Sequence, residues 1–159
     1  METHSVEDTL RKKEVEYEIL EYDRPFESTL DAMEMIGTTL ERMGKTLAFR
    51  SQFGAIVVIV SGEAKVDNLK YKKRFGTRPL MLDADELMEY TGSVPGSVSP
   101  VGLQHKKVKV YMDASIKRFE EGMVYPSAGN DNSAIAISAK DLYTASDCKG
   151  YVDVCKDWK

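Results

Sequence analysis

Between Glu14 and Leu20 the chain alternates, with Val15, Tyr17 and Ile19 on one side and glutamates on the other, the period of a half-buried strand. Arg24-Pro25 interrupts it. Ser28 then reads as an N-cap with Asp31 three residues on. Behind it Leu30, Met33, Ile36 and Leu40 recur at helical spacing, which predicts a helix near 29–36 that Gly37-Thr38-Thr39 ends or bends. Two β-rich runs follow, 45–50 and 55–60, joined by Ser51-Gln52-Phe53-Gly54 as in a hairpin. The second is apolar on both faces and so belongs at the centre of a sheet. Residues 66–75 read as a helix and 78–82 as a short strand. Asp83 caps a further helix, with Glu86 closing a capping box and Leu87 and Met88 facing inward. A Gly/Ser/Pro loop covers 92–102. After it come a strand over 107–112, a short helix or turn over 113–119, a strand at 123–125, a polar turn at 127–132 and a strand over 133–137. A last helix is capped by Ser138, with Asp141 at the matching position.

This order, without repeats or low-complexity linkers, predicts one α+β domain over 1–159 with a mixed sheet curled towards a barrel and flanked by helices. Residues 1–13 are expected to be a loose lead-in or a short helix. Residues 147–159 are expected to be a C-terminal tail that docks through Tyr151, Val152, Val154 and Trp158.

Charge narrows the partners. The 22 basic residues against 26 acidic ones give −4, so no global basic field exists, no DNA partner is expected, and any RNA must be held by local patches and a pocket. No run approaches the roughly 20 apolar residues of a membrane span, and the acidic start lacks a signal-peptide pattern; no membrane partner and a cytoplasmic location are expected. Cys148 and Cys155 have no metal-ligand spacing, and His4 and His105 lie far apart, so neither metal nor cofactor is expected.

Two segments carry chemistry. Gly96-Ser97-Val98-Ser99-Pro100-Val101-Gly102-Leu103 is a donor-rich loop: glycine lets backbone amides approach a ligand, the serines add hydroxyls and Pro100 stiffens the turn. Gly44-Lys45-Thr46-Leu47 places one ammonium at the mouth of an apolar strand, where a cation is costly without a partner or ligand. Together they suit a bound carbonyl, ester or phosphate. No Gly-x-Ser-x-Gly elbow is present to support a serine nucleophile. Lys70, Lys72, Lys73, Arg74 and Arg78 form one basic cluster, and His105, Lys106, Lys107 and Lys109 another; each is either a solvated face or a set of phosphate contacts.

The order of these segments carries a family likeness. A strand and a capped helix lead into Gly44-Lys45-Thr46-Leu47-Ala48-Phe49-Arg50, then an apolar strand with a basic helix, then a GxxxP loop at Gly96–Pro100. Tyr125-Pro126-Ser127-Ala128-Gly129 follows, leading to Ser133–Ser138 and Asp141-Leu142. Over roughly 15–146 the chain resembles the YbaK/prolyl-tRNA synthetase-associated domain family. The resemblance implies a barrel-like mixed sheet and hydrolysis of the ester joining a wrong amino acid to the terminal adenosine of a tRNA, with an aminoacyl-tRNA synthetase as a further partner. It makes Lys45 the functional lysine and Gly96 the glycine whose amide holds the substrate carbonyl. Ser97, Val98, Ser99 and Pro100 then border the substrate, as do Gly129, Asn130 and Asn132 of the polar turn. Lys70, Lys73, Arg74 and Lys106 become the tRNA contacts. An aminoacyl ester is already activated, so oxyanion donors and a positioned water or hydroxyl suffice; Lys45 fits an electrostatic and positioning role better than that of a base. A module that binds aminoacyl-tRNA or a nucleotide without turnover is the alternative, and a regulator that has lost its pocket is another. The chain lacks the Gly-Gly-Lys/Arg-Arg-Gly wording of cysteinyl-tRNA deacylases and the histidine of alanine-specific members, which leaves the amino acid open. Met33, Ile36, Phe49 and Ala128 are the expected pocket walls.

Overall fold

The computed structural model describes residues 3–158. Its strands are β1 (Glu18–Glu21), β2 (Met43–Arg50), β3 (Ala55–Ser61), β4 (Lys65–Val66), β5 (Val108–Asp113), β6 (Met123–Pro126), β7 (Ser133–Ser138), β8 (Tyr151–Val152) and β9 (Cys155–Lys156). Its helices are α1 (Thr3–Lys12), α2 (Thr29–Ile36), α3 (Asn68–Phe75), α4 (Ala84–Thr91), α5 (Ala114–Lys117) and α6 (Ala139–Ala145). Seven strands form one mixed sheet in the order β1-β7-β6-β2-β3-β5-β8, with β1 and β8 at its two ends; β4 and β9 pair separately. The fold is therefore α+β, a mixed sheet flanked by helices.

β3 is central for the reason its sequence announces. Every residue from Ala55 to Ser61 is buried, and the alternation of its side chains feeds two cores. Val57 and Ile59 pack with Val6, Leu10, Ile116 and Leu142. Ile56, Val58 and Val60 pack with Phe49, Tyr71, Val154 and Cys155. Fully burying such aliphatic side chains contributes roughly 1.5–3 kcal/mol each. The helices start where their caps stand: Ser28 accepts from Asp31 N, Ser138 from Asp141 N, and Asp83 and Glu86 close a complete capping box.

Of the two forms expected for the lead-in, the short helix is the one present, because Val6 and Leu10 lie four apart on one face and both reach the core without exposure. Other expectations need correction. β1 starts only at Glu18, since β7 offers it partners only from Ser133 to Ala136. Residues 78–82 make no strand: they touch β2 at one bridge, Phe49 to Met81, with Arg50 N donating to Leu80 O and Leu82 N to Ala48 O. On α4 the buried positions are Leu87 and Thr91, four apart; Met88, one step round the helix, is exposed. The tail docks through Val152 and Val154, both buried, with Trp158 packed partly on the second core; Tyr151 is exposed and stacks on Tyr143 instead, and Cys155 is buried in its place. No described helix is long and apolar enough to cross a membrane.

Candidate active site

A cavity of about 530 Å³ is lined by an unbroken run of β2, residues 43 to 48, together with Gly96, Ser97 and Val98 and residues from 26–32, 81–87 and 125–134. Consecutive strand residues point to opposite faces, so a six-residue run can line one cavity only along the strand's edge. The hydrogen bonds agree. Met43 O accepts from Gly62 N on the β3 side, whereas Ala48 O and Arg50 N bond residues 80–82 on the other. By the same parity the backbone groups of Gly44 and Thr46 face that outer edge. There β6 meets β2 at only two pairs, Met43 with Tyr125 and Gly44 with Pro126. Gly44 permits the approach, a Cβ there standing 3.3 Å from Pro126. The pairing stops at Gly44 and Pro126, and beyond it the strands part. Thr46 is left between β6 and the 80–82 segment, its backbone N–H and C=O unpaired among the described residues. That opening is the cavity.

Lys45 shares the β2 face of Leu47 and Phe49, the face of the second core. Its Nζ donates to Ala64 O at 3.0 Å, and the side chain is half-buried. Burial lowers the pKa of this ammonium from that of an ordinary lysine, and Lys65 acts in the same direction. Cys155 would oppose the shift as a thiolate, but burial pushes its own pKa far up and keeps it a neutral thiol.

The loop is built as a tight turn. Ser97 N donates to Val94 O at 3.1 Å around Pro95 and Gly96, and Gly96 has φ 86°, the pattern of a type II turn. A Cβ at Gly96 would meet no protein atom within 4 Å, so glycine is required there by conformation rather than by crowding. The Ser97 amide is spent on the turn; those of Gly96 and Val98 make no hydrogen bond among the described residues.

Of the residues expected at the site, Lys45, Gly96, Ser97, Val98 and Asn130 line the cavity; Ser99, Pro100, Gly129 and Asn132 do not. Ser99 Oγ accepts from Val101 N and the Gly129 amide donates to Ser127 Oγ, both local stitches, while Asn132 Nδ2 donates to Tyr22 O and ties the turn to the segment after β1. Asn130 Oδ1 accepts from Ser133 Oγ at 2.6 Å. Lys70, Lys73, Arg74 and Lys106 all stand away from the lining. Lys73 and Lys106 are exposed, Arg74 lies over Phe75 and Tyr111, and Lys70 is engaged with Asp153 and Cys155 O. His105, expected at the surface, is half-buried against Tyr90 and accepts from Lys107 N. Met33, Ile36, Phe49 and Ala128 are not walls: Phe49 and Ala128 belong to the two cores, and Thr29 and Ala32 are the α2 residues that line the cavity. The segment 26–29 was missed. Phe26 N donates to Asp131 O and Tyr22 N to Asn132 O, which draws it across the opening. Its only sequence signal was the Ser28 cap. Among the described residues no cluster of His, Cys, Asp or Glu could hold a metal.

A mixed sheet that parts to expose a strand edge, a lysine and a GxxxP turn defines an α+β protein with one polar-rimmed cleft. Residues 23–145 match the model of the aminoacyl-tRNA editing domain, and the chain belongs to that family, the YbaK/prolyl-tRNA synthetase-associated group. It is 40% identical over 145 residues to the uncharacterized protein YwhH of Bacillus subtilis (strain 168), spanning 91% of this chain and 90% of that one. It is 32% identical over 81 residues to proline–tRNA ligase of Staphylococcus aureus (strain Newman), which covers 50% of this chain but 14% of the ligase. Among solved structures, the hypothetical protein APE2540 superposes with TM-score 0.84 at 22% identity, over 96% of this chain and 99% of that one. A candidate trans-editing enzyme for prolyl tRNA synthetase superposes with TM-score 0.84 at 20% identity, over 97% and 96%.

Proposed function

We propose that the chain, as one unit over 1–159 with its sheet curled around the cleft, hydrolyses the ester joining a mismatched amino acid to the terminal adenosine of a tRNA. The observation that carries this is that Lys45 and Gly96–Val98 line one cavity together with the unpaired edge at Thr46. Polar backbone groups left open beside a cation are suited to a substrate rich in acceptors, and family membership supports an ester on tRNA.

The chemistry asked of the protein is small. The ester carbonyl sits against the amides of Gly96 and Val98, which stabilise the oxyanion as water, positioned beside the ribose hydroxyl, attacks; one such donor is worth about 10²–10³ in rate. The Lys45 ammonium supplies positive charge and orients the ribose or its phosphate. Its bond to a carbonyl fits a donor rather than a proton acceptor. The bond from the water oxygen to the carbonyl carbon forms, the bond from that carbon to the ribose oxygen then breaks, the attacking water gives up a proton to solvent, and the leaving ribose oxygen takes one from solvent to become a hydroxyl. Lys73 and Lys106 are exposed cations suited to meeting tRNA phosphates, Arg74 is exposed beside them over Phe75 and Tyr111, and a synthetase is the partner suited to delivering a mischarged tRNA in the cytoplasm.

The test is deacylation of a panel of charged tRNAs, led by alanyl-, cysteinyl-, seryl- and threonyl-tRNA. Rapid hydrolysis of one or a few is expected. A panel no faster than buffer, with charged tRNA still bound, would leave a binding module in place of the enzyme.

A further inference from the structure

The cation of the proposed chemistry is held from outside the cavity. Ala64, whose carbonyl takes Lys45 Nζ, is fully buried in the turn between β3 and β4. That turn is gripped by the far end of the chain. β9 pairs antiparallel with β4, Lys156 opposite Lys65 and Cys155 opposite Val66, and Asp67 N donates to Val154 O at 2.8 Å. Buried Asp113 accepts from Val154 N at 2.8 Å. Two cations close the grip. Lys70 donates to Cys155 O at 2.9 Å and to Asp153 at 3.1 Å. Arg118 donates to Trp158 O at 2.5 Å and, on the turn itself, to Ser61 Oγ at 3.3 Å and to the Glu63 carboxylate. All of the tail lies beyond residue 145, where the family match ends.

We infer that the C-terminal strand, latched by Lys70 and Arg118, is a positioning element for Lys45: it fixes the β3–β4 turn and, through the Ala64 carbonyl, sets where the ammonium stands. A tail present only to cover apolar surface needs Val152, Val154 and Cys155. Cations bonded to its carbonyls and to both sides of the turn add direction without adding apolar area. Lys70 thereby has a role other than the phosphate contact its neighbours in sequence suggest. The groups facing Lys45 are Lys65 from β4 and Cys155 from β9, the latter in turn facing Asp113 and Lys70.

The inference rests on the hydrolase reading, so the experiment has two arms. The first measures steady-state deacylation of the best panel substrate by the full chain and by Lys70→Met, Lys70→Arg and Arg118→Gln, with thermal melts to establish folding. Lys70→Met and Arg118→Gln are expected to lower kcat about tenfold to a hundredfold, the scale of ångström misplacement, while KM holds and Lys70→Arg restores the rate. The second arm needs no turnover: isotope-labelled Lys45 is titrated by NMR. Loosening the grip admits water, so its midpoint should rise towards that of an ordinary lysine in both variants. A rise in KM with kcat intact in Lys70→Met would return that residue to phosphate binding. Unchanged kcat and an unchanged Lys45 midpoint in folded Lys70→Met and Arg118→Gln would overturn the inference. If no charged tRNA is hydrolysed, the hydrolase reading fails on its own and the titration alone decides whether the tail positions Lys45.

Discussion

Gly96→Ala separates what glycine does for the chain from what it does for a ligand. Gly96 has φ 86° and Gly92, the C-cap of α4, has φ 71°; at neither would a Cβ meet an atom within 4 Å. An alanine in the left-handed region costs about 1–2 kcal/mol, and the lower entropy of the unfolded alanine chain returns about 0.4–1 kcal/mol of that. Both variants should therefore lose about 1 kcal/mol, read as a lower urea midpoint at unchanged m, or as a Tm lower by about 2–4 °C. Only Gly96 lines the cavity. Per folded molecule, Gly92→Ala should keep its deacylation rate. Gly96→Ala turns the loop amides of Gly96 and Val98, which make no hydrogen bond among the described residues, and adds a methyl where the ester must sit, so kcat/KM should fall at least about tenfold. Equal activity in the two variants would refute the assignment of this loop to the substrate. A stability loss at Gly96 several times that at Gly92 would refute the claim that conformation alone demands the glycine.

Acid should loosen the frame around the cavity. Arg50 holds the Glu86 carboxylate at about 2, and Arg24 with the Glu27 amide holds Asp31 at about 2, both below their usual values. Groups depressed in this way stabilise the fold above about pH 4.5 and lose that contribution as pH falls towards 2, so melts between those limits should show Tm falling, with a shallower fall in Glu86→Gln. The Tyr71 hydroxyl is buried without a partner among the described residues, and burial pushes its pKa up to about 12. Tyr71→Phe should be neutral or stabilising in urea titration; a loss above about 1 kcal/mol would mean the hydroxyl is satisfied. Ile59→Ala, in fully buried β3, should cost about 2–5 kcal/mol by the same titration, and a smaller loss would show that the core collapses around the gap.

What the sequence made legible was what short-range chemistry decides. Ser28, Asp83 and Ser138 are read as caps because their hydroxyl or carboxylate reaches amides two or three residues on, and each does so. The β2–β3 hairpin and the burial of β3 follow from apolar runs alone. What stayed hidden depends on contacts distant in sequence. The cavity exists because the parallel pairing of β2 with β6 stops at Gly44 and Pro126, residues 82 apart by number and invisible to each other in any pattern. The walls were misplaced for the same reason: alternation predicts faces, and this cavity lies on an edge. Phe49 and Ala128 are apolar and near the motifs, yet each fills a core. Lys70 reads as one more lysine of a basic helix until Asp153 and Cys155 arrive beside it from the far end of the chain.

The most direct test of the account is Lys45→Ala, measured in single-turnover deacylation of the best substrate alongside binding of the same charged tRNA. The account predicts hydrolysis reduced to near the uncatalysed rate while binding persists. Hydrolysis at the wild-type rate in the folded variant would contradict it, and would place the chemistry in the loop alone.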